Sequence, residues 1–391
     1  MSVETASIVA AAERVLAKRF GRKVELGDVD RLSDDDRRNL LLRCRDLSGE
    51  SPASVIIKKV VADAFDPADP SSWDTQRFTS DRAGAEFLSA VLPVSLTPRF
   101  YGGEHAAGFF ILEDLGENRS LVEPLLDEDS ASAERALLAF SACLGAVHAG
   151  TVGHSAVFER CLGDSGRHFG IFSAPFNGFG EKVIQLQARL EEMGLRVEAG
   201  LSSEIQEVIA AIESPGPFFS YIHGDPCPDN VFWNGRELRL IDFEFGGFGH
   251  ALADAAYGRM LFPSCWCANR LPSDLVSRME TEYRTELVKG CPEAQDDRTF
   301  EGALVRVCAY WLLTSLNRPL ANAMDADRTW GIATVRQRVL ARLEAFAATS
   351  EEFDELPALR AMTARLLEHL HHAWPDVSPL PLYPAFTRQS S

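Results

Sequence analysis

The 391-residue sequence lacks a long hydrophobic run. Its apolar stretches, such as "AYWLL" at 309–313, fall far short of the about 18 residues that suggest a membrane span, so no membrane partner is expected. It also lacks metal-type cysteine spacing. The eight cysteines, at 44, 143, 161, 227, 265, 267, 291 and 308, form no C-x-x-C pair. A chain this long needs no disulfide scaffold, so most thiols are expected to be reduced. "CWC" at 265–267 reads as core or loop. A basic excess is missing too. Lys and Arg number 39 against 57 Asp and Glu, for a net charge of −18, which leaves no cation surplus to release counterions from nucleic acid. The first residues, "MSVETASIVAAAERVLAKRF", carry Glu4 and Glu13 and no basic start before an apolar block. They read as an amphipathic helix and not a signal peptide, and the expected compartment is the cytoplasm. No repeat or low-complexity segment is present.

What is present is ordinary globular composition, 46% hydrophobic and 25% charged, in a chain long enough for two lobes. The first part reads as α+β: a helix near 4–20, strands at 39–47 and 54–62 around "SGESPA", and a helix at 79–92 stopped by Pro93. Two more strands are expected in "RFYGGEHAAGFFILEDL" around its Gly-rich turn. After Gly116 the pattern turns helical. Residues 137, 140, 144 and 147 give an apolar stripe to a helix over 130–150, with Ser130 or Ser132 as its start cap and Gly150 at its end. Further helical patterns cover 181–213, 274–289, 301–316, 329–348 and 357–373, and the tail after Pro379 is expected to be poorly ordered. The predicted architecture is a small antiparallel-sheet N-lobe, residues 1–115, and a larger mainly helical C-lobe, residues 116–391.

The chemistry concentrates in "HGDPCPDNVFWNGRELRLIDFEF", His223 to Phe245. "NVFW" and "ELRLI" read as strands around Asn234-Gly235, a strong two-residue hairpin signal that asks both residues for positive φ. Such a hairpin brings Asn230 and Asp242 to one mouth. Asp225 lies five residues upstream of Asn230 on a loop stiffened by Pro226 and Pro228. Oxygen ligands from an Asp and an Asn suit Mg²⁺, and a further Asp can take a proton from a hydroxyl. That is equipment for phosphoryl transfer. The bland alternative, a polar turn between core strands, does not explain three such side chains in this pattern. Nothing near Cys227 would activate it as a nucleophile.

"HGDPCPDN" followed by "IDFE" resembles the catalytic and metal loops of the aminoglycoside phosphotransferase/choline kinase-like family, small-molecule kinases with a bilobal protein-kinase-like fold. The family pattern is H-G-D-x-x-x-x-N, a short hairpin, then I-D-[FW]-E, and every position matches. The resemblance implies that Asp225 orients or deprotonates the acceptor hydroxyl, that Asn230 and Asp242 hold Mg²⁺, and that His223 braces the loop. Lys58 in "SVIIKKV" would contact the ATP phosphates, with Lys59 on the opposite face. Glu86 would hold that lysine. The backbone of Glu113, Asp114 and Leu115 would bond the adenine edge. In "GHALADAAYG", Asp254 would brace the catalytic loop, and His148 in "LGAVHAG" reads as a core histidine. Glu244 either adds to the metal shell or lines the cleft.

One departure is plain. "RLSDDDRRN" (31–39), where a phosphate-covering loop belongs, has no glycine. Ser33, Arg37, Arg38, Asn39 or backbone N–H groups would have to serve instead. The expected protein is an ATP- and Mg²⁺-dependent kinase acting on a hydroxyl of a small molecule, aminoglycoside-, amino alcohol- or sugar-like. The alternatives are a non-catalytic nucleotide-binding or regulatory protein of the same fold, and a metal-dependent hydrolase built on His223, Asp225 and Asp242.

Overall fold

The computed structural model describes residues 3–34, 37–50, 52–92, 96–117, 119–163, 179–195 and 200–387. Pro93 and the aspartates at 35 and 36 lie outside them. The chain forms two compact units. The first comprises Met1–Asn118, His154–Ile171 and Arg239–Gly247, and the second Arg119–Gly153, Phe172–Leu238 and Phe248–Ser391.

In the first unit, helix α1 (Val3–Phe20) precedes strands β1 (Leu26–Arg31), β2 (Asn39–Asp46) and β3 (Ser54–Val60). Helix α2 (Trp73–Val91) and strands β4 (Phe100–Glu104) and β5 (Phe109–Glu113) follow. The strands make one antiparallel sheet in the order β1-β2-β3-β5-β4. Alternation decides its faces. Leu40, Leu42 and Cys44 of β2 and Val55 and Ile57 of β3 pack with Ile8, Val9, Ala12 and Leu16 of α1. Lys58 falls between Ile57 and Lys59, opposite Leu41. Helix α2 begins at Trp73, six residues before the pattern suggested, because Asp74 and Arg77 in its first turns find partners. The turn between β4 and β5 falls at His105–Gly108, not at the two earlier glycines. Gly103 lies inside β4, where a Cβ would collide with Phe109 and Phe110 of β5.

The second unit is mainly helical. Its elements are α3 (Val122–Leu126) and α4 (Ser130–Thr151); the short α5 (Ser155–Leu162) belongs to the first unit and packs on α2. Then come α6 (Phe179–Glu192), α7 (Leu201–Glu213), β6 (Phe219–Ile222), β7 (Val231–Trp233), β8 (Leu238–Leu240), β9 (Gly247–His250) and α8 (Leu252–Ala255), of which Arg239 and Leu240 in β8 and Gly247 in β9 belong to the first unit. Helices α9 (Ser273–Leu287), α10 (Asp297–Leu316) and α11 (Arg318–Asp325), the hairpin β10 (Thr329–Trp330) and β11 (Ala333–Thr334), and helices α12 (Val335–Glu352) and α13 (Pro357–Ala373) complete it. Helix α10 is buried nearly all round, through residues such as Val305, Cys308, Tyr310, Trp311 and Leu312.

Several local expectations are corrected. Helix α4 is capped by Asp129, whose carboxylate accepts from Ser132 N–H, and not by a serine. Its C-terminus reaches Thr151. Residues 329–334 form the hairpin rather than helix, and Thr334 and Gln337 close a capping box on α12. At Asn234-Gly235 only Gly235 has positive φ. The Asn234 side-chain oxygen accepts from the N–H groups of Arg236 and Glu237, an Asx turn that lengthens the connection. The segment after Pro379 is ordered through Thr387. Leu382 bridges Arg270, and Tyr383 is fully buried against Phe262. Most cysteines are free thiols, but Cys227 and Cys265 form a disulfide that had no sign in the sequence. Among the described residues no single helix is long and apolar enough to cross a membrane.

Helices α4 and α9 approach closely at Gly145. A methyl group there would collide with the Tyr283 carbonyl and Glu286 Cβ. Gly145→Ala should therefore destabilise the protein by about 2 kcal/mol, although alanine is the better helix former by about 1 kcal/mol. Chemical denaturation checks this, and an unchanged or raised midpoint would refute the contact.

Candidate active site

The first unit places its chemistry around a buried ammonium. Lys58 Nζ lies 2.6 Å from Asp81 Oδ2 and 2.7 Å from Asp242 Oδ1, and the residue is only 9% exposed. Burial alone would push its pKa down. Asp242 and Asp81, with Glu244 behind them, outweigh that and hold the amine protonated well above its ordinary range. Lys59 turns to the other face, with Nζ on the Val60 carbonyl and near the Phe65 ring.

The helix carboxylate on Lys58 is thus Asp81, not Glu86. The two are five residues apart on α2, about 140° around the axis, so one helix face cannot present both. Glu86 instead pairs with Arg82 at 2.7 Å. A sequence signal for Asp81 existed. It sits in the stripe Phe78, Asp81, Ala85, Leu88, all buried, where an acid is out of place unless paired. Burial pushes its carboxyl up to about 6, against the pull of Lys58. Its Oδ1 also accepts the Phe243 N–H at 2.9 Å. Asp242 itself is left-handed, with φ 66°, a conformation uncommon for a residue with a Cβ.

Glu244 is held by two arginines. Arg38 Nη2 contacts Oε2 at 2.5 Å, and Arg77 contacts Oε1. Arg38 also meets Asp74 at 2.5 Å. The other phosphate-loop candidates have local roles. Ser33 Oγ accepts from Leu41 N–H, Arg37 lies 3.9 Å from Asp34, and Asn39 opens β2 opposite Val60. At the end of β5, Glu113 N–H bonds the Arg99 carbonyl. The Asp114 carboxylate takes Ser54, Gly116 N–H and Arg43, which together hold its pKa below the ordinary value despite burial. Leu115 follows, half-buried.

In the second unit the loop carrying Asp225 is anchored from below. Fully buried Asp254 accepts the His223 N–H at 2.6 Å and the Gly224 N–H at 3.1 Å. His148 Nε2 lies 3.3 Å from the same carboxylate, and its Nδ1 meets the Tyr283 hydroxyl at 2.9 Å. His148 is therefore buried among partners, as a core histidine should be. Asn230 Nδ2 donates to the Asp225 carbonyl at 2.9 Å and lies 3.4 Å from Asp225 Oδ2. With its nitrogen so committed, the amide oxygen is the atom of Asn230 that could ligate a cation. Asp225 Oδ1 accepts from Ser264 Oγ at 2.5 Å, a partner that sequence reasoning missed. Asp225 and Asn230 belong to the second unit, Lys58 and Asp242 to the first. No cluster of three His, Cys, Asp or Glu side chains among the described residues is arranged to hold a metal by itself.

The Lys58 network makes a discriminating test. Asp81→Ala removes an acceptor from both Lys58 and Phe243 N–H. It should cost about 3 kcal/mol, the low end for breaking a buried pair, because Lys58 keeps Asp242. Glu86→Ala breaks a half-exposed pair worth under about 1 kcal/mol. Denaturation of both variants decides, and equal losses would contradict the assignment of Asp81.

Comparison with known proteins agrees with this geometry. Residues 70–273 match the family model described as "Phosphotransferase enzyme family". Among curated proteins, none matches the chain in sequence. The choline kinase of Cryptosporidium parvum Iowa II aligns over 94% of this chain and 99% of its own, at 13% identity and a TM-score of 0.51. A choline/ethanolamine kinase family protein of Mesorhizobium loti aligns over 92% and 99%, at 15% identity and a TM-score of 0.45. The streptomycin-ATP-APH(2")-IIa ternary complex aligns over 81% and 92%, at 15% identity and a TM-score of 0.43. At 13% identity the first likeness speaks to the fold, which is protein-kinase-like, with a small antiparallel sheet and a larger helical part. The family match spans more than half of the sequence and includes the whole of 223–245, and the chain belongs to the phosphotransferase enzyme family.

Proposed function

We propose that this phosphotransferase is an ATP- and Mg²⁺-dependent kinase that transfers the γ-phosphoryl group to a hydroxyl of a small molecule of the aminoglycoside, amino alcohol or sugar kind. The observation that carries this reading is Lys58, buried and charged between Asp81 and Asp242. A desolvated cation beside a left-handed, partly exposed aspartate suits a site where phosphate charge must be neutralised.

In this reading Asp225 accepts the acceptor's proton, and Asp254 holds the loop that presents it. Asn230 and Asp242 fit Mg²⁺ by donor chemistry: one amide oxygen and one carboxylate, few enough to leave room for phosphate and water. The ion, when bound, would spread the charge of the phosphates. Lys58 shares its ammonium between Asp242 and the nucleotide. Glu113, Asp114 and Leu115 offer backbone to the adenine edge; Leu115 N–H has no hydrogen-bond acceptor among the described residues. The first unit is then the nucleotide lobe, and the second carries the acceptor.

A second reading, a nucleotide-binding protein without turnover, is favoured by one observation. Arg38, at the end of the glycine-free loop, is already committed to Asp74 and Glu244. Two measurements separate the readings. Calorimetric titration of ATP should show binding that needs both Mg²⁺ and Asp242, with Asp242→Ala losing it. Asp225→Asn should keep ATP binding and lose about 10²–10⁴-fold in turnover, the usual worth of a general base. ATP binding without consumption across an acceptor panel would favour the second reading. No ATP binding under any condition would defeat both.

A further inference from the structure

We infer that Ser264 is a positioning residue for Asp225, holding its carboxylate in one orientation, and that the segment 261–266 is built to keep it there. The inference rests on the phosphotransferase reading of Asp225 and concerns a residue outside the 223–245 motif.

The hydrogen-bond chain has a forced direction. An ionised carboxylate only accepts, so Ser264 Oγ must donate to Asp225 Oδ1 at 2.5 Å. Its single proton is then committed, and it accepts from the Tyr257 hydroxyl at 2.9 Å. Tyr257 is fully buried. Burial first, and the nearby Asp225 charge second, keep its phenol protonated and able to donate. The Tyr257 hydroxyl also lies 3.3 Å from the Gly224 carbonyl, the residue before Asp225, which competes as a second, longer acceptor for its single proton. Ser264 thus holds Oδ1, and Asn230 Nδ2 lies 3.4 Å from Oδ2, so the carboxylate is fixed at both oxygens. Ser264 is itself exposed, at the solvent edge of the loop.

The segment around Ser264 is held at unusual cost. Leu261 and Phe262 are consecutive left-handed residues, with φ of 61° and 45°, a backbone that side chains disfavour and that tends to mark functional positions. Phe262 is fully buried against Tyr257, Phe140 and Tyr383. Two buried arginines on one face of α12 reach the carbonyls. Arg342 bonds Pro263 O at 2.6 Å, and Arg338 bonds Cys265 O and Trp266 O, each at 2.6 Å. Among the described residues neither has a carboxylate partner, and burial pushes them down to about 9 and about 10. A buried guanidinium with only neutral acceptors is a poor stabilising choice. It is a good choice for fixing three carbonyls in space. Finally, Cys265 is joined to Cys227, two residues after Asp225, so the segment and the catalytic loop are linked on either side of the Ser264–Asp225 contact.

The test uses the full chain with Ser264→Ala, Ser264→Thr and Asp225→Asn. Losing one hydrogen bond to a charged group should lower kcat about ten- to a hundredfold in Ser264→Ala. KM for ATP should stay within about twofold, because no nucleotide contact is removed, and Ser264→Thr should restore most of the rate. In parallel, with ¹³C-labelled aspartate, the Asp225 Cγ resonance is assigned by its disappearance in Asp225→Asn. It should shift in Ser264→Ala and return in Ser264→Thr. An unmoved resonance, or wild-type kcat in Ser264→Ala while Asp225→Asn is impaired, would overturn the inference and leave the kinase reading standing. If the wild type consumes no ATP with any acceptor, the kinase reading fails. The resonance alone then decides whether Ser264 holds Asp225.

Discussion

Buried backbone N–H groups must have acceptors, and in each unit one buried aspartate supplies them next to a candidate functional acid. Asp81 takes the Phe243 N–H, one residue after Asp242. Asp254 takes the His223 and Gly224 N–H groups, just before Asp225. Neither aspartate is the functional acid. Each fixes the backbone from which that acid projects. In the first unit the same carboxylate also carries Lys58, so one residue sets the height of the lysine and the path of the backbone at Phe243. The left-handed φ of Asp242 is tolerable in that setting, because its own carboxylate is held by Lys58 and the next residue's N–H by Asp81. Removing Asp81 would free the strand, the loop and the charge together.

Buried charge is handled in two ways. The first uses opposite charges: Lys58 with Asp81 and Asp242, and Glu244 with Arg38 and Arg77. Ligands that bring their own charge can exchange with such pairs, as a site for phosphate and metal requires. The second uses neutral partners for Arg338 and Arg342, through carbonyls, a serine hydroxyl and close packing. Those contacts have no charged competitor and hold one arrangement. The exchangeable charges thus lie beside the expected nucleotide groups, and the fixed ones lie beside the acid expected to meet the acceptor.

The candidate site was legible where chemistry restricts residue types over a short span. Asp225, Asn230 and Asp242 stand at fixed spacing because one loop and one hairpin carry them all, and the sheet's alternation separates Lys58 from Lys59, with the resemblance pointing to Lys58. The sheet and most helices were legible for the same local reason, periodicity. What was not legible depended on contacts distant in sequence. The resemblance points to Glu86, whereas an acid within the apolar stripe of Phe78, Ala85 and Leu88, Asp81, is the one that meets Lys58. Asn234-Gly235 gave a hairpin, but the turn was closed by the Asn234 side chain rather than by two left-handed residues, since an Asx turn meets the same end at lower strain. The tail, Ser264 and the Cys227–Cys265 pair carry no periodic or spacing signal at all. Their partners lie roughly 40 to 120 residues away, at Asp225, Cys265 and the Phe262 ring. A serine bonded to a catalytic aspartate looks, in sequence, like any other serine before a cysteine. Only the cost of the surrounding backbone and of two buried arginines marks it.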